Sequence, residues 1–248
     1  MKASQREEYK EFLKDSLNYL RFQKDLGWEG FANPEKDFTL ENVTAQTKIP
    51  SGISAPERGR ENKLLTLEDV RKELGDCQRC RLCKERTNIV FGTGNEHAKL
   101  IFIGEGPGRD EDLKGEPFVG RAGQLLTKII NAMGLKRQDV YITNVVKCRP
   151  PGNRNPLPDE IAACEPFLIK QLEAIKPKLI CALGTVAAQA LLKTDKRISE
   201  LRGKFFYYRG IKLLPTFHPA YLLRNPEYKK AVWEDMQLLM KEYAKLED

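Results

Sequence analysis

Six cysteines are the first candidates for chemistry in this 248-residue chain. Cys77 and Cys80 form a Cys-x-x-Cys pair, which lets two thiolates reach one metal ion or cluster from a single turn. Two more thiolates are then needed to complete a set of four. Cys148 closes a predicted strand and Cys164 lies on the helix that follows, so both could fold back toward the pair. The predicted ligands are therefore Cys77, Cys80, Cys148 and Cys164.

The two other cysteines leave alternatives open. Cys83 continues the three-residue spacing and competes with Cys80 for the same role. Cys181 lies inside an apolar predicted strand, and we interpret it as a buried thiol. Zinc and a [4Fe–4S] cluster both accept four cysteines, so the spacing alone does not separate them.

A loop rich in glycine follows the apolar run at 99–104. It contains Gly104, Gly106, Pro107 and Gly108, and glycine lets backbone amides approach a flat ligand or a phosphate closely. No Gly-Lys-Ser/Thr sequence follows, so this is not a Walker loop.

Asn144 and His218 each stand at the end of a predicted strand. Asn144 offers a donor and an acceptor on one planar group, which suits the edge of a base; the alternative is a capping or turn asparagine. His218 and His97 are the two histidines of the chain. A single histidine is more often structural than catalytic, but the strand-end position of His218, beside an aromatic residue and a Leu-Leu pair, favours function.

Strands and helices that alternate along the chain must position these residues. The predicted strands are 99–104, 140–143, 178–183 and 211–217, and the predicted helices are a short one opened by 66–69, then 122–133, 158–175, 185–192 and 226–245. Apolar strands that alternate with helices predict an α/β fold: a three-layer α/β/α arrangement around a central four-stranded, mostly parallel sheet. Ligands of such sheets bind beyond the carboxyl ends of the strands, where the polar loops lie.

The N-terminal part of the chain has a different character. Apolar residues recur with a helical period over 1–25, and the segment 27–60 is irregular and contains several prolines. We expect a helical and linker extension over 1–65 and one functional domain over 66–248.

Charge and hydropathy indicate the partner and the compartment. The net charge is +7, and residues 77–248 carry +9 because they hold 29 Lys/Arg against 20 Asp/Glu. A cationic domain favours a polyanion such as DNA, although a well-solvated surface would look the same. The chain has no apolar run long enough for a membrane span and no signal peptide, so we expect a cytoplasmic monomer without disulfides.

Four separate segments resemble the family 4 uracil-DNA glycosylases, the thermostable [4Fe–4S] branch of that superfamily. The segments are 104–108, 117–120, 143–151 and 218–226, and the likeness runs from Cys77 to the C-terminus. The resemblance implies an enzyme that hydrolyses the N-glycosidic bond of deoxyuridine in DNA during base excision repair. It also implies a [4Fe–4S] cluster rather than zinc.

The same resemblance implies roles for the pocket residues. Phe118 would stack on the uracil ring and Asn144 would pair with its edge, in a pocket also lined by Glu105, Gly106 and Pro107. His218 would donate a hydrogen bond to uracil O2, where negative charge grows as the bond breaks.

Water and DNA contacts follow from the resemblance less directly. The best-known uracil glycosylases carry an aspartate where this chain has Gly106, so Glu105 or Glu111 would orient the water instead. The segment 151–156 contains no histidine, so covalent trapping of the sugar, known from a related branch, is not expected. The residues expected to contact DNA are Lys147, Leu222, Leu223 and Arg224.

Three competing hypotheses stay open at this point. A non-catalytic iron–sulfur DNA-binding module would explain the charge and the cysteines, but not the strand-end residues. An electron-transfer protein would need the cysteines alone. A superfamily relative that excises other deaminated bases would need only small changes in the pocket.

Overall fold

The computed structural model describes residues 65–246. The helix predicted over 1–25 and the linker predicted over 27–60 lie outside these residues. The described strands are β1 (Thr93–Gly94), β2 (Leu100–Gly104), β3 (Tyr141–Asn144), β4 (Leu179–Leu183), β5 (Phe206–Tyr208) and β6 (Ile211–Thr216). The described α-helices are α1 (Leu67–Leu74), α2 (Arg109–Lys114), α3 (Arg121–Ala132), α4 (Pro158–Ile175), α5 (Thr185–Leu192), α6 (Ile198–Leu201), α7 (Pro219–Arg224) and α8 (Lys229–Ala244).

The strands form one sheet in the order β1-β3-β2-β4-β6-β5. The four inner strands β3, β2, β4 and β6 run parallel, as predicted. The edge strands β1 and β5 are antiparallel to their neighbours and were not predicted. They span two and three residues, which is too short for an alternating pattern to appear in the sequence.

Helices cover both faces of the sheet, so the predicted three-layer α/β/α fold is confirmed. Along β2, Ile101 and Ile103 join an apolar core with helices α1, α4 and α5. Leu100 and Phe102 point to the opposite face and join a second core with α3, α7 and α8. Every residue of β2 and β4 is buried, which explains their continuous apolar sequences.

Local sequence signals set where the longer helices begin. Thr66 caps α1: its side chain accepts a hydrogen bond from the Asp69 amide, and the Asp69 carboxylate accepts one from the Thr66 amide in return. Pro158 opens α4, where Glu160 accepts a hydrogen bond from the Leu157 amide.

Three shorter helices were not predicted: α2 and α7 lie in segments that we expected to be loops, and α6 lies in a segment to which no element was assigned. They have four to six residues each, so their helical period is hardly visible in the sequence. Tertiary packing stabilises helices of this length, which would be marginal alone: α6 packs against β6, and α7 packs against α3. In the described part of the chain, no helix has both the length and the apolar character that crossing a membrane requires.

Candidate active site

The carboxyl ends of β2 and β3 bring the first two candidate residues together. Gly104 and Asn144, the last residues of these strands, are paired in the sheet. A Cβ atom placed on Gly104 would lie 2.4 Å from Asn144 Oδ1 and 2.6 Å from Phe118 Cζ. Glycine is therefore required at position 104, because the Asn144 and Phe118 side chains both close in over its Cα.

Asn144 carries an unusual unsatisfied atom. Its side chain is 1% exposed, and within residues 65–246 its Oδ1 is the one buried side-chain nitrogen or oxygen that lacks a hydrogen-bond partner. Burying an acceptor without a donor costs about 1–3 kcal/mol. In a capping or turn asparagine this oxygen would accept a hydrogen bond from a backbone amide. Its lack of a partner therefore favours a ligand that brings an N–H group.

Phe118, whose ring closes over Gly104 together with Asn144, is held in a strained conformation. Its φ angle of 56° lies in the left-handed region, which is uncommon for an aromatic residue. Arg137 donates hydrogen bonds to the carbonyl oxygens of Pro117 (3.0 Å) and Phe118 (3.3 Å). Gly123 in α3 makes room, since a Cβ there would lie 1.8 Å from the Phe118 carbonyl oxygen. Arg137 and Gly123 therefore fix the backbone of Phe118, and no motif in the sequence marked Arg137.

Glu111 supports the same loop from the other side. Its Oε1 accepts hydrogen bonds from the amides of Val119 (2.9 Å) and Gly120 (3.0 Å). These contacts connect α2 to the residues directly after Phe118. One of the two carboxylate oxygens of Glu111 is therefore already engaged in holding the backbone.

His218 lies beside Phe118, with 5.5 Å between the ring centroids. Its Nδ1 accepts a hydrogen bond from the Ala220 amide (3.1 Å) and caps α7. Burial, and then the positive charge of Arg224, lower the pKa of His218 to about 4. At neutral pH the ring is therefore uncharged, and since Nδ1 is the acceptor, Nε2 carries the proton and is the donor.

Gly184 makes the position of this histidine possible. It follows β4 directly, and a Cβ atom on it would lie 2.9 Å from His218 Cβ. The rule that ligand sites follow the carboxyl ends of parallel strands marks Gly184 as well, but the motifs in the sequence did not single it out.

Glu105 is the titratable group that continues the β2 end. Its carboxyl is half-buried, and this burial raises its pKa to about 7. Its backbone carbonyl accepts a hydrogen bond from the Val146 amide (3.1 Å), which joins the β2 and β3 loops. Gly106 follows, and a Cβ atom there would meet the Val146 side chain at 2.7 Å; Pro107 is buried. A carboxyl that titrates near neutrality is a candidate acid or base.

The residues expected to contact DNA separate into two groups. Leu223 is 37% exposed and Arg224 is exposed, so both are available to a partner. Leu222 is 1% exposed and packs in the core with α3 and α8, because it lies on the inner face of α7. Lys147 is also 1% exposed, and its ammonium is hydrogen-bonded inside the protein, so the structure gives it no access to a phosphate.

Four cysteines lie around one apolar core and receive hydrogen bonds. Arg79 donates to Cys77 Sγ (3.3 Å), Arg86 donates to Cys148 Sγ (3.4 Å), the Lys147 amide donates to Cys164 Sγ (3.3 Å), and the Leu82 amide donates to Cys80. Cys181 lies in the other core and is fully buried.

The pKa values of Cys148 and Cys164 depend on the charge of the neighbouring thiols. Burial raises the pKa of Cys148 to about 12, Arg86 opposes that rise, and negative charge on Cys164 and Cys80 adds to it. Burial likewise raises the pKa of Cys164, and Cys80 and Cys77 are among the smaller causes. For residues 65–246, however, no group of three or more His, Cys, Asp or Glu side chains has an arrangement that could hold a metal ion.

Comparison with known proteins identifies the family. The family model described as the uracil DNA glycosylase superfamily matches residues 91–237, which is more than half of the chain. The chain belongs to the uracil DNA glycosylase superfamily. The matched span of this superfamily contains Gly104, Phe118, Asn144 and His218.

Individual members of the superfamily agree with this assignment. The chain is 46% identical to a type-4 uracil-DNA glycosylase of Archaeoglobus fulgidus over 180 residues, which cover 69% of this chain and 90% of that protein. It is 48% identical to the type-4 enzyme of Saccharolobus solfataricus, over 71% of this chain and 84% of that protein. The type-4 enzyme of Thermotoga maritima is also 48% identical, over 69% and 91%. The resemblance found in the sequence is thereby confirmed.

Proposed function

We propose that this protein is a DNA N-glycosylase that hydrolyses the N-glycosidic bond of deoxyuridine in DNA, releases free uracil and leaves an abasic site. The single observation that carries the proposal is the unsatisfied Oδ1 of Asn144, which is buried against Phe118 at the ends of β2 and β3. The identity of 46 to 48% to type-4 uracil-DNA glycosylases supports it.

Asn144 would read the base. Uracil carries a hydrogen on N3, which would satisfy the orphan Oδ1, and it carries an acceptor at O4 for the amide group of the same side chain. Cytosine presents the opposite pattern at both positions, so its entry would leave the buried Oδ1 unpaired at an unfavourable free energy. Phe118 would stack on the ring of a base that has flipped out of the helix.

His218 would stabilise the leaving base. As the bond between sugar and base breaks, negative charge grows on uracil O2. The neutral ring of His218 would present its Nε2–H group there without bringing a full positive charge into the buried pocket. The cap that Nδ1 forms on α7 fixes the ring for this role.

Glu105 is the better candidate to orient the attacking water. Its carboxyl follows the β2 end, and its pKa of about 7 leaves an ionised fraction at neutral pH. Glu111 is the weaker candidate because its Oε1 holds the amides of Val119 and Gly120. General-base assistance of this kind contributes about 10²- to 10⁴-fold to the rate.

Leu223 and Arg224 would contact the DNA. Both are exposed at the end of α7, which begins at the residue after His218. Leu223 would fill the gap left by the flipped nucleotide, and Arg224 would lie near the phosphates. Leu222 would support them from the core rather than enter the helix.

Cys77, Cys80, Cys148 and Cys164 would hold a [4Fe–4S] cluster, although their side chains in residues 65–246 are not arranged as a ready metal-ion site. The observation that supports this set is the hydrogen-bond donor at each of the four sulfurs, since N–H groups directed at sulfur favour thiolates. Within residues 65–246 no such donor reaches Cys83 or Cys181. A bound cluster would supply a cross-link between the start of the domain, β3 and α4, and we assign no step of the reaction to it.

The proposal is tested by incubating the purified chain with an oligonucleotide that contains one deoxyuridine. We expect free uracil to be released and alkali to cleave the strand at the resulting abasic site. Asn144→Ala is the matched variant and should lose most of this activity, because the base edge would then go unread. An oligonucleotide that survives alkali intact, with the cysteine-bound metal present in the protein, would overturn the proposal.

A further inference from the structure

Lys147, like Leu222, is buried away from any DNA contact, and its polar environment needs another explanation. Its side chain is 1% exposed. No carboxylate of residues 65–246 forms an ion pair with it. A buried ammonium is costly unless it is well hydrogen-bonded, so its contacts must compensate for that cost.

Those contacts are directed at the end of β3. The Nζ atom donates to the backbone carbonyl of Asn144 (2.7 Å) and to Thr143 Oγ1 (2.6 Å). Asn144 is the last residue of the strand. The ammonium therefore fixes the backbone from which the Asn144 carboxamide extends into the pocket.

A second layer holds Lys147 and Thr143 in place. The Thr143 hydroxyl donates to the Phe91 carbonyl (2.9 Å), and the Lys147 carbonyl accepts from the Val90 amide (2.8 Å). Gln171 of α4 also donates to the Phe91 carbonyl (2.9 Å). The strand end is thus anchored by a fully buried polar network rather than by a flexible turn.

The geometry points to Lys147 as a positioning residue, which keeps the Asn144 carboxamide in the orientation that reads the base. This inference rests on the proposed function of Asn144. Asn144 Oδ1 discriminates between bases only if the carboxamide cannot rotate or shift to accept a hydrogen bond from water instead. The ammonium restricts that movement through the backbone of the same residue, without touching the substrate.

A double-mutant cycle tests this role. Lys147→Met removes the charge and both hydrogen bonds, and should lower kcat/KM for deoxyuridine-containing DNA by about 10- to 100-fold. In the Asn144→Ala background the same change should cost less than about twofold, because there is no carboxamide left to position. Lys147→Gln keeps one N–H donor and should give an intermediate loss; it carries the test if the methionine variant does not fold.

Gln171→Met is the matched control. It removes a fully buried polar group that reaches the strand end only through Thr143 and the Phe91 carbonyl and does not touch Asn144, so its effect on kcat/KM should be smaller than that of Lys147→Met and equal in both backgrounds. Iron content is measured for every variant, so that loss of a cluster is not mistaken for loss of base reading. Equal losses from Lys147→Met with and without the Asn144 side chain would overturn the inference.

Crystal structures of the same variants separate this inference from the proposed function. We expect the Asn144 carboxamide to be displaced in Lys147→Met and unmoved in Gln171→Met. If the unmodified protein releases no uracil, the proposed function fails, and these structures still decide the role of Lys147. An unchanged Asn144 in the Lys147→Met structure would contradict it.

Discussion

The pocket contains Gly104, Phe118, Asn144 and His218, and the cysteine region contains Cys77, Cys80, Cys148 and Cys164. The two regions differ in whether their polar side-chain atoms have hydrogen-bond donors. In the cysteine region an N–H group donates to each of the four sulfurs, for example from Arg86 to Cys148. In the pocket, Asn144 Oδ1 is buried and has no donor. The difference teaches that the cysteine region already directs N–H donors at its sulfurs, whereas the pocket holds an acceptor that only a ligand would satisfy.

Residues 144–148 join the two regions. Asn144 belongs to the pocket, Cys148 belongs to the cysteine region, and Lys147 contacts both sides: its ammonium donates to the Asn144 carbonyl and its amide donates to Cys164. A change on the cysteine side should therefore alter stability first, and a change on the pocket side should alter catalysis first.

Cys148→Ala should have the largest effect on the supporting side. Loss of Cys148 would remove a ligand of the proposed cluster and with it the proposed cross-link, so we expect iron content to fall from about four atoms per chain and Tm to drop by at least about 10 °C. Iron analysis and thermal unfolding measure both. Cys83→Ala is the control, since within residues 65–246 its sulfur receives no N–H donor, and it should keep iron and Tm. The contrast between the regions breaks down if Cys83→Ala loses the iron and Cys148→Ala keeps it.

Glu105→Gln should act on the pocket side and change the pH profile. With a pKa of about 7, the active carboxylate forms as the pH rises, so kcat/KM of the unmodified protein should increase between about pH 6 and 8. The variant should lose this limb and about 100-fold in rate. A pH–rate profile that is flat across this interval in the unmodified protein would rule out Glu105 as the base.

The same variant makes a linked prediction about stability. Because the folded-state pKa lies above the ordinary value of 4.5, the neutral carboxyl stabilises the fold at low pH, and that contribution is lost as the pH rises through 7. In Glu105→Gln this part of the pH dependence of Tm should disappear.

The most local comparison is between alanine variants of Leu222 and Leu223, two neighbouring residues of α7. Leu222→Ala leaves a cavity in the core and should cost about 2–5 kcal/mol of stability. Leu223→Ala should leave Tm nearly unchanged and lower activity on double-stranded DNA several-fold more than on single-stranded DNA, because only the duplex needs its gap filled. Thermal unfolding and paired activity assays on the two substrates distinguish them, and equal behaviour of the two variants would contradict the assignment.

The four inner strands and their parallel direction were predictable because their apolar runs are continuous and strongly buried, whereas their order in the sheet was not predicted. The sequence also indicated Asn144 and His218 as candidates, because each follows the end of one of these apolar runs. The sequence did not reveal contacts between separate segments. Examples are the Glu111 carboxylate, which accepts a hydrogen bond from the Val119 amide, and Arg137, which donates one to the Phe118 carbonyl. The role of Lys147 was also missed, because a lysine is expected at the surface unless a fold shows otherwise.

The most direct test of the central claim is a crystal structure of the protein with free uracil. We expect uracil to stack on Phe118, with its N3 at about 2.7–3.2 Å from Asn144 Oδ1. The N3–H group of uracil would then be the hydrogen-bond donor that Asn144 Oδ1 lacks in the folded protein. Uracil absent from this pocket at millimolar concentration, or bound with N3 directed away from Asn144, would contradict the claim.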